Sequence, residues 1–244
     1  MNERVPAPSH DWCLFLDVDG TLLDISDTPS AVVVDPALKE LLLRVSRRLQ
    51  GALALVSGRS IDVLDELFEP VKFPAAGLHG VERRSTTGAL RGANYPDVRL
   101  DSARTLLAEF VDSHPGTLLE DKGRAIAVHF RLAPAFEADA RRAADVAARP
   151  LGADYHVQEG KMVFEIKPRG FTKATAAAEF MREPPFAGRI PVFVGDDLTD
   201  EAGFRAVEAL GGISVAVGNR VEAQWRLQSP TAVRLWLESI GSLD

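Results

Sequence analysis

The sequence predicts an α/β fold, a doubly wound, Rossmann-like parallel sheet interrupted by an inserted α+β module. Three observations predict it. Short apolar runs alternate with helix-patterned segments at both ends of the chain, the arrangement that covers a parallel sheet on two faces. In the middle the alternation stops, and hairpin-like strand pairs with separate helices replace it. Polar clusters rich in Asp, Ser and Gly directly follow the apolar runs that end at residues 16, 56 and 194, the ends at which open α/β sheets hold ligands.

Residues 14–17 read as the first strand. Residues 36–49 read as a helix, with Asp35 as N-cap, Pro36 at the first helical position, and Leu38, Leu41, Leu42, Val45 and Leu49 at helical spacing. A strand at 52–57, a helix at 61–68 and a short strand at 75–78 continue the alternation. The stretch 83–92 is polar and contains Gly, and reads as a turn. A helix follows at 102–113, then strands at 118–120 and 125–130 joined at 121–123. Residues 134–149, rich in Ala, Arg and Glu, form a helix, and 155–158 with 162–166 form a second strand pair turned at 159–161. Alternation returns with a helix at 171–181, a strand at 190–194, a helix at 199–210, a strand at 213–217 and a closing helix at 229–240. Ser229 caps that last helix and Pro230 opens it. The core is therefore expected at 1–82 and 167–244, with the inserted module at 83–166.

The 244 residues can bury a real core as one large domain or two small ones. Net charge of −7 argues against general binding to nucleic acid or anionic membrane; a locally positive pocket for an anionic ligand remains compatible with it. Cys13 is the sole cysteine, so no intrachain disulfide forms, which fits a reducing cytosol. Its apolar surroundings mark a buried small hydrophobe. The first eleven residues are polar and lack the apolar stretch of a secretion signal, and no run approaches the ~20 residues of a membrane span. A cytoplasmic location is expected.

Asp17-Val18-Asp19-Gly20-Thr21 presents two carboxylates at the end of a buried strand. Ser57 ends the next strand and precedes Gly58-Arg59. Lys173 lies in the helix after Gly170, and Gly195-Asp196-Asp197 stands at the end of another strand. Strand ends on one edge of a parallel sheet converge, so these groups meet in one crevice. Each suits phosphoryl transfer. A phosphate ester near Asp17 meets like charge, worth about 4 kcal/mol at ~4 Å and an effective dielectric near 20, roughly a thousandfold in rate. A divalent cation on Asp17 and Asp196 offsets that repulsion, and oxygen ligands favour Mg²⁺. Lys173 and Ser57 can hold the non-reacting phosphoryl oxygens. Asp19 can protonate the leaving alcohol and then take a proton from water.

These four motifs, in this order, resemble the haloacid dehalogenase superfamily of phosphatases. The resemblance implies that Asp17 is the nucleophile, forming an aspartyl-phosphate, and that Asp19 is the general acid/base with its backbone carbonyl on Mg²⁺. It further implies that Asp196 is a metal ligand and that Asp197 joins the metal set, directly or through water. The insertion falls between the second and third motifs, where such families carry a C2-type cap. Gly77-Leu78-His79-Gly80-Val81-Glu82, Glu120-Asp121-Lys122-Gly123 and the run from Val163 through Glu165 and Lys167 to Gly170 are similar to the trehalose-6-phosphate phosphatase family. That resemblance covers essentially the whole chain. It implies that Glu120, Lys122 and Glu165 grip sugar hydroxyls, and that the partner is a small sugar phosphate; a monomer with no nucleic-acid or membrane partner is expected. The short N-terminal extension implies that no synthase domain is fused.

Several residues keep two readings. Arg59 is a candidate substrate contact or a structural ion pair. Lys167 lines the phosphate site or screens an acidic cleft. Asp200 is a partner behind the site or a first-turn helix charge. His79 serves close packing or chemistry. Glu120, Lys122 and Glu165 could form an ordinary surface ion cluster. The alternative activities are hydrolysis of another sugar phosphate, such as a sucrose or hexose phosphate, and non-catalytic sensing of a sugar phosphate.

Overall fold

The computed structural model describes residues 5–25, 32–92 and 97–242; the N-terminal stretch read above is thus described from residue 5 onward. The chain forms two compact units, Met1–Gly92 with Phe171–Asp244, and Ala93–Gly170.

The first unit is built on an eight-stranded sheet of order β12-β11-β10-β1-β2-β3-β4-β5. Strands β1 (Trp12–Leu16), β2 (Leu53–Val56) and β3 (Ala75–Gly77) run parallel on one side, and β10 (Ile190–Gly195), β11 (Ile213–Val217) and β12 (Trp225–Leu227) run parallel on the other. Every residue of β1 and β2 is buried, as expected for strands covered on both faces. The chain order reverses at β1, which pairs with β2 on one side and β10 on the other. This is the switch point at which doubly wound sheets open a crevice.

Helix α1 (Pro36–Arg48) is capped by Asp35, which accepts from Leu38 N at 2.9 Å, and buries Leu38, Leu41, Leu42 and Val45. Helix α2 (Ile61–Phe68) is capped by Ser60. Helix α1 packs with α7 (Pro230–Gly241), and α5 (Lys173–Phe180) with α6 (Glu201–Ala209). Phe15 at the sheet centre meets Phe180, Phe186 and Phe193 at ring distances of 6.0, 5.5 and 6.3 Å. Trp12 packs on Trp236 at 5.9 Å. Cys13 is fully buried, and burial pushes its thiol up to about 12, so it serves packing.

The stretch read as a turn at 83–92 instead adds two strands. β4 (Glu82–Arg84) and β5 (Leu90–Arg91) extend the main sheet antiparallel to β3. β4 is charged yet buried because each side chain has a partner. Glu82 accepts from Ile61 N at 2.8 Å, Arg83 lies 4.0 Å over the Phe180 ring, and Arg84 donates to Phe73 O and Asp65. These strands carry the first unit to Gly92, ten residues past the expected boundary at 82. β12 had no expected counterpart either.

The second unit is a four-stranded antiparallel sheet of order β6-β7-β9-β8, with helices α3 (Asp101–Ser113) and α4 (Glu137–Ala148). Its strands are β6 (Leu118–Asp121), β7 (Ile126–His129), β8 (Tyr155–Gly160) and β9 (Val163–Pro168). β9 outruns the strand expected to end at 166, so Lys167 belongs to this unit. Ile126, Val128, Phe164 and Ile166 form one core with Leu107, Ala140 and Ala144 of the helices. Because strand side chains alternate, the other face carries a row in register, Glu120–Ala127–Glu165–Gln158. Among the described residues no helix is long and apolar enough to cross a membrane.

Candidate active site

In the first unit the polar residues gather where β1 and β10 end. Asp17 directly follows β1, and its backbone N–H donates to Val194 O at 3.0 Å. Its side chain is buried. Oδ1 accepts from Lys173 Nζ at 2.7 Å, and Oδ2 accepts from the Thr21 hydroxyl at 3.3 Å. Lys173 is the first residue of α5, behind the Thr172 cap. A cation there opposes the helix dipole, and burial opposes its charge. Asp17 and Asp200, the latter at 2.6 Å, outweigh both and hold the ammonium above the usual lysine range.

Asp200 is fully buried. Beyond its bond to Lys173, its Oδ2 accepts from Asp196 N at 3.1 Å and Asp197 N at 3.0 Å. One carboxylate thus braces the loop after β10 and anchors the lysine. Gly195 makes room for it: a Cβ at that position would lie 2.2 Å from Asp200 Cγ. Gly20 plays a similar part. Its φ of 84° suits glycine, and a Cβ there would lie 2.2 Å from Asp196 Oδ2.

Asp17, Asp196 and Asp200 are all buried, with one ligand oxygen of each within 4.8 Å of the others. Three carboxylates face a single ammonium. Burial pushes the Asp17 carboxyl well above the usual range; Lys173 opposes the shift, while Asp200 and Asp196 add to it. Asp200 is raised as well, chiefly by burial. A cluster of hard oxygen donors with surplus negative charge could hold a hard metal cation. The expected metal set named Asp17, Asp19, Asp196 and Asp197. The side chains of Asp19, whose expected metal contact is its backbone carbonyl, and of Asp197, expected to act directly or through water, each face a cation. Arg59 forks onto Asp19 at 2.7 and 2.8 Å, and Arg220 lies 2.6 Å from Asp197 Oδ1. Asp197 also caps its own turn, accepting from Leu198 N at 2.8 Å.

Ser57 directly follows β2, buried, and its hydroxyl accepts from Arg59 N at 3.1 Å. The His79 ring packs on the same turn, so that a Cβ on Gly58 would lie 2.8 Å from His79 Nε2. Thr21, named in the first motif without a role, and Asp200, left between a partner behind the site and a helix charge, both join the site, and Arg220 joins it unanticipated. Asp200 had a signal, its spacing three and four residues after Asp197 and Asp196. Thr21 had one in its place after the Gly20 turn. Arg220, in the loop after β11, had none.

The second unit carries its own polar cluster. Lys122 Nζ lies 2.9 Å from Glu165 Oε1 and 3.7 Å from Glu120 Oε2. His129 Nε2 lies 2.7 Å from the same Glu120 oxygen. Burial pushes the Glu120 carboxyl up, but His129 and Lys122 outweigh it and hold the group below its usual range. Lys167 is fully buried and donates to Gln158 at 3.3 Å on the neighbouring strand.

Comparison with known proteins places this geometry in context. The trehalose-phosphatase family model matches residues 15–234. A probable trehalose-phosphate phosphatase of Sinorhizobium fredii is 47% identical over 227 residues, covering 92% of this chain and 85% of that protein. The trehalose-6-phosphate phosphatase of Escherichia coli K12 is 44% identical over 238 residues, covering 97% of this chain and 89% of that one. In fold, the C-terminal domain of a C. albicans trehalose-6-phosphate phosphatase superposes with a TM-score of 0.79 at 20% identity, covering 100% of both chains.

Proposed function

Because the chain belongs to the trehalose-phosphatase family, we propose that it hydrolyses trehalose 6-phosphate to trehalose and inorganic phosphate, with Mg²⁺, through an aspartyl-phosphate on Asp17. The observation that carries this reading is the buried cluster of Asp17, Lys173, Asp196 and Asp200 at the ends of β1 and β10. Asp17, Asp196 and Asp200 would hold the cation, which when bound neutralises charge between the carboxylates and the phosphoryl group.

Asp17 attacks phosphorus, and the bond to the sugar oxygen breaks as Asp19 supplies a proton to that oxygen. Asp19 then removes a proton from water as the water oxygen attacks the phosphorus of the aspartyl-phosphate. Phosphate leaves and the Asp17 carboxylate is restored. Both Asp19 oxygens accept from Arg59, so that fork loosens before Asp19 reaches the leaving oxygen. The substrate's phosphoryl group is a natural new partner for the freed guanidinium. Lys173 keeps the Asp17 carboxylate oriented through Oδ1, and Ser57 serves the non-reacting phosphoryl oxygens. Glu120, Lys122 and Glu165 take the sugar hydroxyls: the carboxylates accept and the ammonium donates.

The test is phosphate release by purified protein from trehalose 6-phosphate, sucrose 6-phosphate, glucose 6-phosphate and an aryl phosphate, with Mg²⁺ and with chelator. Trehalose 6-phosphate should give the highest kcat/KM, and chelator should abolish release. A tenfold preference for a monosaccharide phosphate would overturn the substrate assignment. Saturable binding without release at any Mg²⁺ concentration would overturn catalysis.

A further inference from the structure

His129 takes no part in the function as described, yet it makes a short contact to one of the residues assigned to the sugar. On β7 it stands two residues beyond Ala127, which pairs with Glu120. The two are therefore diagonal neighbours on the polar face of the sheet, within reach of long side chains. Ala127, between Glu120 and Glu165 in the row, is too small to fill the space that the longer side chains cross. His129 Nε2 approaches Glu120 Oε2 to 2.7 Å. A carboxylate only accepts, so Nε2 carries the proton and donates. The side chains are 20% and 25% exposed, so water competes only weakly for this bond.

Glu120 has little else to fix it. Lys122 stands 3.7 Å from Oε2, too far for a hydrogen bond, and is drawn to Glu165 at 2.9 Å. A glutamate side chain held by charge alone keeps most of its rotamer freedom, and freezing it on binding costs affinity. Both neighbours sit on Oε2, which leaves Oε1 to accept from a sugar hydroxyl.

We propose that His129 is a positioning residue for substrate: its Nε2–H fixes the Glu120 carboxylate in the rotamer that meets a hydroxyl of the bound sugar. The assignment rests on the reading of Glu120 as a sugar contact. Lost preorganisation should raise KM with little change in kcat, because the group is assigned to a sugar hydroxyl and not to the reacting phosphoryl group.

The experiment measures KM and kcat for trehalose 6-phosphate and for an aryl phosphate in wild type, H129A, H129Q, E120A and the E120A/H129A double variant. H129A should raise KM for trehalose 6-phosphate roughly tenfold with kcat within about twofold, and leave the aryl phosphate unchanged. H129Q, whose amide N–H reaches toward the place of Nε2–H, should return KM to within about threefold of wild type. In the E120A background the His129 substitution should add nothing, the mark of residues acting as a unit. If E120A itself leaves trehalose 6-phosphate turnover intact, the sugar-contact reading fails and the His129 assignment falls with it. If E120A is impaired but H129A matches wild type, if the two losses simply multiply, or if H129Q is no better than H129A, the His129 assignment alone is overturned. Should H129A fail to fold, H129N, whose shorter amide falls short of the place of Nε2–H, against E120A/H129N carries the same comparison.

Discussion

Replacing Asp200 by asparagine changes its volume almost not at all, yet it removes a charge at a fully buried position. Two orientations of the amide are open to it. With its oxygen on the N–H groups of Asp196 and Asp197, now at 3.1 and 3.0 Å, its NH₂ faces the Lys173 ammonium, now at 2.6 Å. With its oxygen on Lys173, its NH₂ faces two backbone donors. Either way a buried donor meets a donor, and an amide has no third arrangement. Lys173 keeps Asp17 at 2.7 Å, so the cost is that of a buried donor left without an acceptor, about 1–3 kcal/mol, a substantial share of the ~5–15 kcal/mol that holds an ordinary domain together. With a urea m-value near 2 kcal/mol/M, a loss of about 2 kcal/mol moves the midpoint down by about 1 M. The assay is urea unfolding of wild type and D200N, followed by far-UV circular dichroism, in chelator so that metal binding does not contribute. Turnover should fall in parallel, because the loop carrying Asp196 loses its brace. A D200N protein as stable as wild type would refute the argument that this carboxylate is held by three simultaneous donors.

Two further outcomes follow from the same geometry and from the second unit. Gly195→Ala places a methyl group 2.2 Å from Asp200 Cγ, so it should reproduce the D200N loss of stability and activity, and wild-type unfolding and turnover in G195A would contradict the packing. Tyr155, 2% exposed, donates to Asp97 at 2.6 Å, and burial and then Asp97 push its phenol up to about 12. The folded state prefers the neutral phenol, so this contribution is complete below the unfolded pKa of ~10 and is lost as pH rises through the folded value. Alkaline titration of tyrosinate absorbance in Tyr95→Phe, which leaves only Tyr155, should give a midpoint near 12, and a midpoint near 10 in the folded protein would contradict it.

The central strands were legible because they are apolar on both faces. β1, β2, β10 and β11 read directly as short hydrophobic runs, and the Asp, Ser and Gly clusters that follow them announced the site. β4 was not legible. Glu82-Arg83-Arg84 has the composition of an exposed turn, and it becomes a buried strand because Ile61 N, Phe73 O, Asp65, Glu183 and the Phe180 ring supply partners distant in sequence. β12, three half-buried residues at the sheet edge, is too short to show a period. Lys173 could be picked from its place after Gly170, but its second partner Asp200 could equally have been an ordinary helix-start charge.

By itself the sequence determined the α/β class, the inserted module and which residue types stand at the ends of the core strands, because hydrophobic period and strand-end position are local properties of the chain. Only the tertiary structure decided how the charges pair. It put Asp200 rather than the side chains of Asp19 or Asp197 beside Asp17 and Asp196, set Arg59 on Asp19, and aligned His129 with Glu120 across two strands. Such pairings depend on register and on the directions of side chains that start far apart in the sequence. They form where desolvation makes an unpartnered charge too costly to keep.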